Sequence, residues 1–196
     1  MMKPVERLSR ELSYEGTVIK VYTDTVRVPN GKIAHWDYIS HVGAAAVVPV
    51  LPDGRILMVR QYRNALDRFT LELPAGKLDR ADEPMEECAA RELEEETGYH
   101  SDNLERLITV NTTVAFCNEK IGIFVARDLV PGSQHLDEDE DIRVEAYTVE
   151  ELCEKIFAQG MTDSKTVAAI LAYRARYCQK QPADREVRGI CVLLHG

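Results

Sequence analysis

The chain has 196 residues, 45% hydrophobic and 29% charged, with a formal net charge of −9. At roughly 150 residues per domain this is one compact domain with an extra arm or tail, and so ordinary a composition excludes disorder over most of its length. The longest near-apolar run, Val42–Leu51, is ten residues and contains Pro49, against roughly 20 for a membrane span. No apolar signal core follows the N-terminus MMKPVERLSRELS, so the expectation is a cytoplasmic protein with no membrane contact.

Five scattered cysteines, Cys88, Cys117, Cys153, Cys178 and Cys191, contain no CxxC pair. That argues for reduced thiols and against a disulfide framework or a zinc site, with Cys88 and Cys153 as small buried hydrophobes. The acid is concentrated. Residues 79–105 carry −9 and residues 137–151 carry −7, leaving +7 on the rest. Such a molecule lacks the basic face that nucleic acid requires. Two acidic clusters on an otherwise basic chain suit divalent cations and an anionic ligand, or else are two solvated faces.

In chain order, residues 3–12 read as a short helix or an arm. Residues 16–28 alternate and are rich in Val, Ile and Thr, which predicts a strand. Pro29-Asn30-Gly31-Lys32 marks a turn, and Ile33–Ser40 returns as the second strand of a hairpin. Val42–Val50 reads as a buried strand, Arg55–Arg63 as its partner, and Thr70–Pro74 as a short extended piece. Residues 82–97 form the clearest helix, with Asp82 as N-cap, Pro84 in the first turn and Gly98 as the stop. Met85, Cys88, Ala89 and Leu93 give it an apolar stripe. Strands are expected at Leu107–Val114, Lys120–Arg127 and Ile142–Val149, with an acidic loop at 131–141. Amphipathic helices follow at Glu150–Gln159 and Thr162–Gln179. In the tail after Gln181, Ile190–Leu194 is apolar enough to need cover.

Glu92 and Glu96 are four residues apart, so they lie about 40° apart on one helix face, with Glu95 flanking them. Like charges at that spacing destabilise a bare helix. Between residues 81 and 99 the only base is Arg91. A hard divalent cation held by carboxylate oxygens removes the repulsion. Glu83, about 180° round the helix from Glu92, is too far to share that ion and instead falls within reach of Arg91.

Gly76, Glu83 and the run Arg91-Glu92-Leu93-Glu94-Glu95-Glu96-Thr97-Gly98-Tyr99 together resemble the Nudix box, a signature of a glycine, a glutamate and RE-U-x-EE-x-G-U in which U is bulky and apolar. Six residues separate Gly76 from Glu83, one more than the family pattern. Gln61-Tyr62-Arg63, Glu72-Leu73-Pro74-Ala75-Gly76-Lys77-Leu78-Asp79, Phe116-Cys117-Asn118-Glu119-Lys120-Ile121 and Asp137-Glu138-Asp139-Glu140-Asp141-Ile142 resemble the ADP-ribose pyrophosphatase branch. The proline common in that branch about 16 residues after the box is missing from Thr113-Val114-Ala115-Phe116.

This resemblance implies an α/β protein with the Nudix α/β/α sandwich, an N-terminal β-hairpin arm over residues 1–41, a hydrolase domain over 42–180 and a tail over 181–196. It implies Mg²⁺-dependent hydrolysis of the ADP-ribose diphosphate to AMP and ribose 5-phosphate, with Mn²⁺ as the alternative ion. The ligands it implies are Glu92, Glu95, Glu96 and the Ala75 carbonyl. The catalytic base falls in the acidic loop, on Glu138 or Glu140, with the branch favouring Glu138. Arg63 is implied to meet the diphosphate, and Glu119 to touch the ligand or serve as an ion-pair partner. Trp36 and Tyr22 lie in an arm that the branch exchanges between subunits to stack the adenine, which implies a homodimer. His35, His41, His100, His135 and His195 show no ligand spacing and read as structural or surface groups. The competing readings are a pyrophosphatase for another nucleotide sugar such as GDP-mannose, a non-catalytic ligand sensor, and a sanitiser of oxidised triphosphates.

Overall fold

The computed structural model describes residues 3–17, 19–136, 138 and 140–178. The tail after Gln181, with Cys191, His195 and the apolar run, lies outside the described residues, as do Asp137 and Asp139.

The chain runs β1 (Glu6–Glu15), β2 (Lys20–Arg27), β3 (Ile33–Ser40), β4 (Ala44–Pro49), β5 (Ile56–Arg63), β6 (Arg68–Glu72) and β7 (Ala75–Lys77) into helix α1 (Met85–Thr97). It continues through β8 (Tyr99–His100), β9 (Asn103–Asn111), β10 (Lys120–Arg127), β11 (Val130–Pro131) and β12 (Arg143–Tyr147) to α2 (Val149–Phe157) and α3 (Ser164–Tyr177). The expected α/β architecture is present.

The central sheet has the order β7-β4-β10-β9, with β4 and β10 parallel. Strand alternation sends successive side chains to opposite faces. Ala44, Ala46 and Val48 therefore join Ile121, Ile123 and Val125 in one core, which α2 and α3 close with Val149, Leu152, Ala169 and Ile170. Ala45 and Val47 join Phe124 and Ala126 in the other, closed by Cys88, Ala89 and Leu93 of α1. Two cores on one sheet make the expected α/β/α sandwich. Gly122 admits α1 closely, since a Cβ there would sit 2.7 Å from the Met85 sulfur. A second sheet, β12-β5-β6, packs Ile56, Met58 and Leu71 into the first core.

The arm is a three-stranded antiparallel sheet, β1-β2-β3. The helix considered for residues 3–12 is corrected to strand β1. Leu8 and Leu12 are four apart and mimic a helical stripe, yet the pairings across to β2 decide the matter: Arg10 forks onto Asp24 at 2.6 Å, Arg27 reaches Glu6 at 2.7 Å, and Ser13 meets Thr23 at 2.7 Å. Opposed charges and hydroxyls of this kind stabilise strand pairs. Two register shifts, between Arg7 and Ser9 and between Leu12 and Tyr14, bend the ribbon.

Helix α1 starts at Met85 with Pro84 at the N-cap position and no side-chain cap. That corrects the expected cap at Asp82. Asp82 is instead in the preceding turn, where it lies 3.3 Å from Arg80. At the other end Gly98, φ 73°, returns its N–H to the Glu94 carbonyl at 2.8 Å, a conformation that glycine adopts without penalty.

Candidate active site

Strand β7 lies antiparallel to β4, with Gly76 opposite Ala45 and Ala75 opposite Ala46. It thereby runs past the glutamate face of α1. Glu92 is 9% exposed and Glu96 3%. The Ala75 N–H donates to Glu96 Oε2 at 2.9 Å. A Cβ on Gly76 would lie 2.0–2.5 Å from the Glu92 carboxylate atoms, so only glycine lets that carboxylate rest against the strand.

Arg91 organises the same face. Its Nη1 donates to Glu92 Oε1 at 2.7 Å and to Glu95 Oε2 at 2.8 Å, and its Nη2 to the Lys77 carbonyl at 3.2 Å. Its Nε lies 3.6 Å from both Asp79 and Glu83, buried without a hydrogen-bond partner among the described residues. Glu83 therefore meets Arg91 as expected, but from the loop before α1 and not from a helical position, and it also accepts from the Asp79 N–H at 2.6 Å.

One guanidinium does not neutralise so many acids. Burial, opposed by Arg91 and reinforced by Glu95 and Glu140, pushes the Glu92 carboxyl up to about 7. Burial pushes Glu96 up to about 8, against the Ala75 N–H and with help from Glu92 and Glu140. Removing a carboxylate from water without a compensating charge favours its protonated form. Among the described residues no three acidic, cysteine or histidine side chains converge as a ready metal cage, and Glu92 and Glu95 both turn onto Arg91. The chemistry of the donors still fits a hard divalent cation, since all are oxygens and Arg91 alone does not offset the buried carboxylates.

Ala75, Glu92, Glu95 and Glu140 line one cavity of about 190 Å³, together with Gly76, Lys77, Asp79, Arg91 and His135. Glu138 is exposed in the loop and is not among those residues. A neighbouring cavity of about 420 Å³ shares Ala75, Gly76 and Lys77 and brings in Arg63, Glu119, His41, Thr112, Asp163 and Lys165. Trp36 lies apart, in a cleft of about 630 Å³ between the arm and Phe116.

Several of these groups were missed in the sequence. His41 and His135, read as structural or surface, line the two cavities. The Gly43 N–H donates to His41 Nδ1 at 3.0 Å, and His41 Nε2 stands 3.5 Å from Glu119 Oε1, which also shares its carboxylate with Thr112. Glu72 holds Arg63 through two bonds of 2.8 Å and accepts from Thr70 and Lys165. A lysine two residues after the N-cap Asp163 runs against the helix dipole, the one signal that pointed to Lys165.

A family model for the NUDIX domain matches residues 40–169. The chain is 37% identical over 186 residues to an ADP-ribose pyrophosphatase of Bacillus subtilis (strain 168), covering 93% of this chain and 97% of that one. It is also 37% identical over 178 residues to a methanol dehydrogenase activator of Bacillus methanolicus, with 90% and 93% covered. The crystal structure of an ADP compounds hydrolase superposes with a TM-score of 0.80 at 22% identity, covering 89% of this chain and 95% of the other. The chain belongs to the Nudix hydrolase family.

Glu72 links the site to stability. Arg63, Lys165 and Thr70 overcome its burial and lower its carboxyl to about 2. A depressed folded-state value stabilises the fold above the ordinary carboxylate range, and that stabilisation disappears as pH falls from about 4.5 through about 2. Glu72→Gln takes the shared carboxylate from a half-exposed Arg63 and leaves Lys165 with Asp163 alone, and losing a charged hydrogen-bond partner at such a site costs about 1–3 kcal/mol. Thermal unfolding should show the variant below wild type near neutral pH, with the gap narrowing as pH falls from about 4.5 toward about 2. A gap independent of pH would contradict this.

Proposed function

We propose that the chain hydrolyses the diphosphate of ADP-ribose to AMP and ribose 5-phosphate, with Mg²⁺, or Mn²⁺ in its place. The observation that carries this reading is the 37% identity to an ADP-ribose pyrophosphatase over nearly the full length of both chains, joined to a site whose buried carboxylates want a cation. Glu92, Glu95, Glu96 and the Ala75 carbonyl would hold the ion. Once bound, it would neutralise phosphoryl oxygens and lower the pKa of a coordinated water.

The chain's own groups supply the rest. Arg63, held by Glu72, offers a planar guanidinium to the anionic linkage. A loop carboxylate takes the proton of the attacking water as the oxygen–phosphorus bond forms, and the bridging oxygen departs with the other phosphate. Position in the cavity supports Glu140 as that base over Glu138, which the branch resemblance favours. Glu119, Thr112 and His41 line the neighbouring cavity, where they suit the hydroxyls of a sugar. Trp36 and Phe116 border the arm's cleft, which suits a flat base.

The sensor reading is disfavoured because every glutamate of the box is in place. GDP-mannose and oxidised triphosphates are decided by assay. A panel of nucleoside diphosphate derivatives and triphosphates with Mg²⁺ and product identification should give AMP and ribose 5-phosphate from ADP-ribose as the preferred reaction. Preference for another substrate, or turnover of none, would remove the reading. In the same assay Glu140→Gln should lower kcat by about 10²–10⁴, the usual cost of losing a general base. Glu138→Gln should change it little. The reverse pattern would return the role to Glu138.

The arm supports a homodimer through residues 1–41. Leu8, Leu12, Tyr14, Ile33 and Trp36 are exposed on it, and apolar side chains gathered on one arm suit cover by a second copy. Sedimentation equilibrium at micromolar concentration should report a dimer, while a stable, active monomer would exclude it.

A further inference from the structure

Lys165 stands where a lysine is locally unfavourable, in the first turn of α3 two residues after its N-cap, where the helix dipole disfavours a cation. Its side chain is only 11% exposed, and it donates to Glu72 and to Asp163, the latter at 3.0 Å. Glu72 is thereby saturated. A carboxylate offers about four acceptor positions, and Glu72 receives Arg63 Nε, Arg63 Nη2, Thr70 Oγ1 and Lys165 Nζ. The backbone is keyed at the same place, because the Leu73 N–H donates to Thr166 Oγ1 at 3.0 Å. Arg63 is the less anchored member, with a side chain 40% exposed at the end of β5. Arg63, Lys165, Glu72 and Asp163 together are formally neutral. The charge of Lys165 is thus engaged by Glu72 and Asp163 and is not held free for a ligand. What it contributes is a fixed place for Glu72, and so for the guanidinium on it.

We propose that Lys165 is a positioning residue for anion recognition: by filling the last acceptor site of Glu72 it holds the Glu72–Arg63 fork at the wall of the larger cavity, so that Arg63 is pre-oriented for a diphosphate. This rests on the diphosphate reading of the site but not on the identity of the nucleoside or sugar. Preorganisation of this kind lowers the ordering cost of binding.

The test is a double-mutant cycle read by calorimetric binding of methylenediphosphonate with Mg²⁺, a diphosphate that cannot be hydrolysed. Lys165→Met in the otherwise wild-type protein should weaken binding about tenfold, well within the couplings that neighbouring residues show. In an Arg63→Met background the same change should cost less than about twofold, because the group it positions is gone. Lys165→Gln replaces the Met variant if circular dichroism shows that the latter does not fold. Equal losses in both backgrounds would mean that Lys165 meets the anion itself, and no loss in either would mean a purely structural role. Both overturn the proposal. Wild-type protein that binds the diphosphonate but leaves ADP-ribose intact would remove the substrate reading alone. Wild-type protein that binds no diphosphonate would remove both.

Discussion

Helix α1 buries two carboxylates, Glu92 and Glu96, against a strand, and much of the site follows from the electrostatic cost of doing so. Removing a carboxylate from water is expensive unless it is neutralised, paired or bonded to a cation. The molecule meets this with what it has at hand. Arg91 spans Glu92 and Glu95, the Ala75 N–H bonds Glu96, and both buried groups remain raised toward neutrality. A helix face built in this way has the chemistry that the proposed divalent ion would need.

The fold makes that face possible. β4 is apolar on both sides, so it can carry α1 on one and α2 with α3 on the other. β7 is its antiparallel neighbour and brings Ala75 and Gly76 against α1. On the far side of β7 the Glu72–Arg63–Lys165 cluster ties β5, β6 and α3 together at the wall of the adjoining cavity. The two cavities share Ala75, Gly76 and Lys77.

Much of this was legible in the sequence because its signals are local. Helical spacing placed Glu92, Glu95 and Glu96 on one face, the apolar runs marked β4 and β10 as strands, and the resemblance implied the sandwich they form the middle of. What escaped was set by contacts between distant segments. Residues 6–15 carry a leucine spacing that suits a helix, and only pairing with Asp24, Thr23 and Arg27 makes them a strand. The start of α1 slipped from Asp82 to Pro84 because boundaries depend on the path of the preceding loop. His41 and Lys165 carry no motif of their own, and Glu72, although it opens a stretch that resembles the branch, takes its role from partners up to 93 residues away. Glu138 and Glu140 have equivalent spacing, so only the folded loop distinguishes their positions.

The central claim is that the buried glutamates of α1 are a cation site whose protons the ion displaces. It is tested most directly by titrating the wild-type protein with Mg²⁺ in a calorimeter, near neutral pH, in buffers of different ionisation enthalpy. Metal ligands must be deprotonated to bind, so binding releases protons and tightens as pH rises. With Glu92 near 7 and Glu96 near 8 in the metal-free protein, the heat should depend on the buffer, with a release of about one proton per site that shrinks above about pH 9. The release should fall in Glu96→Gln. Mg²⁺ that binds with the same heat in every buffer, or does not bind at all, would contradict the account.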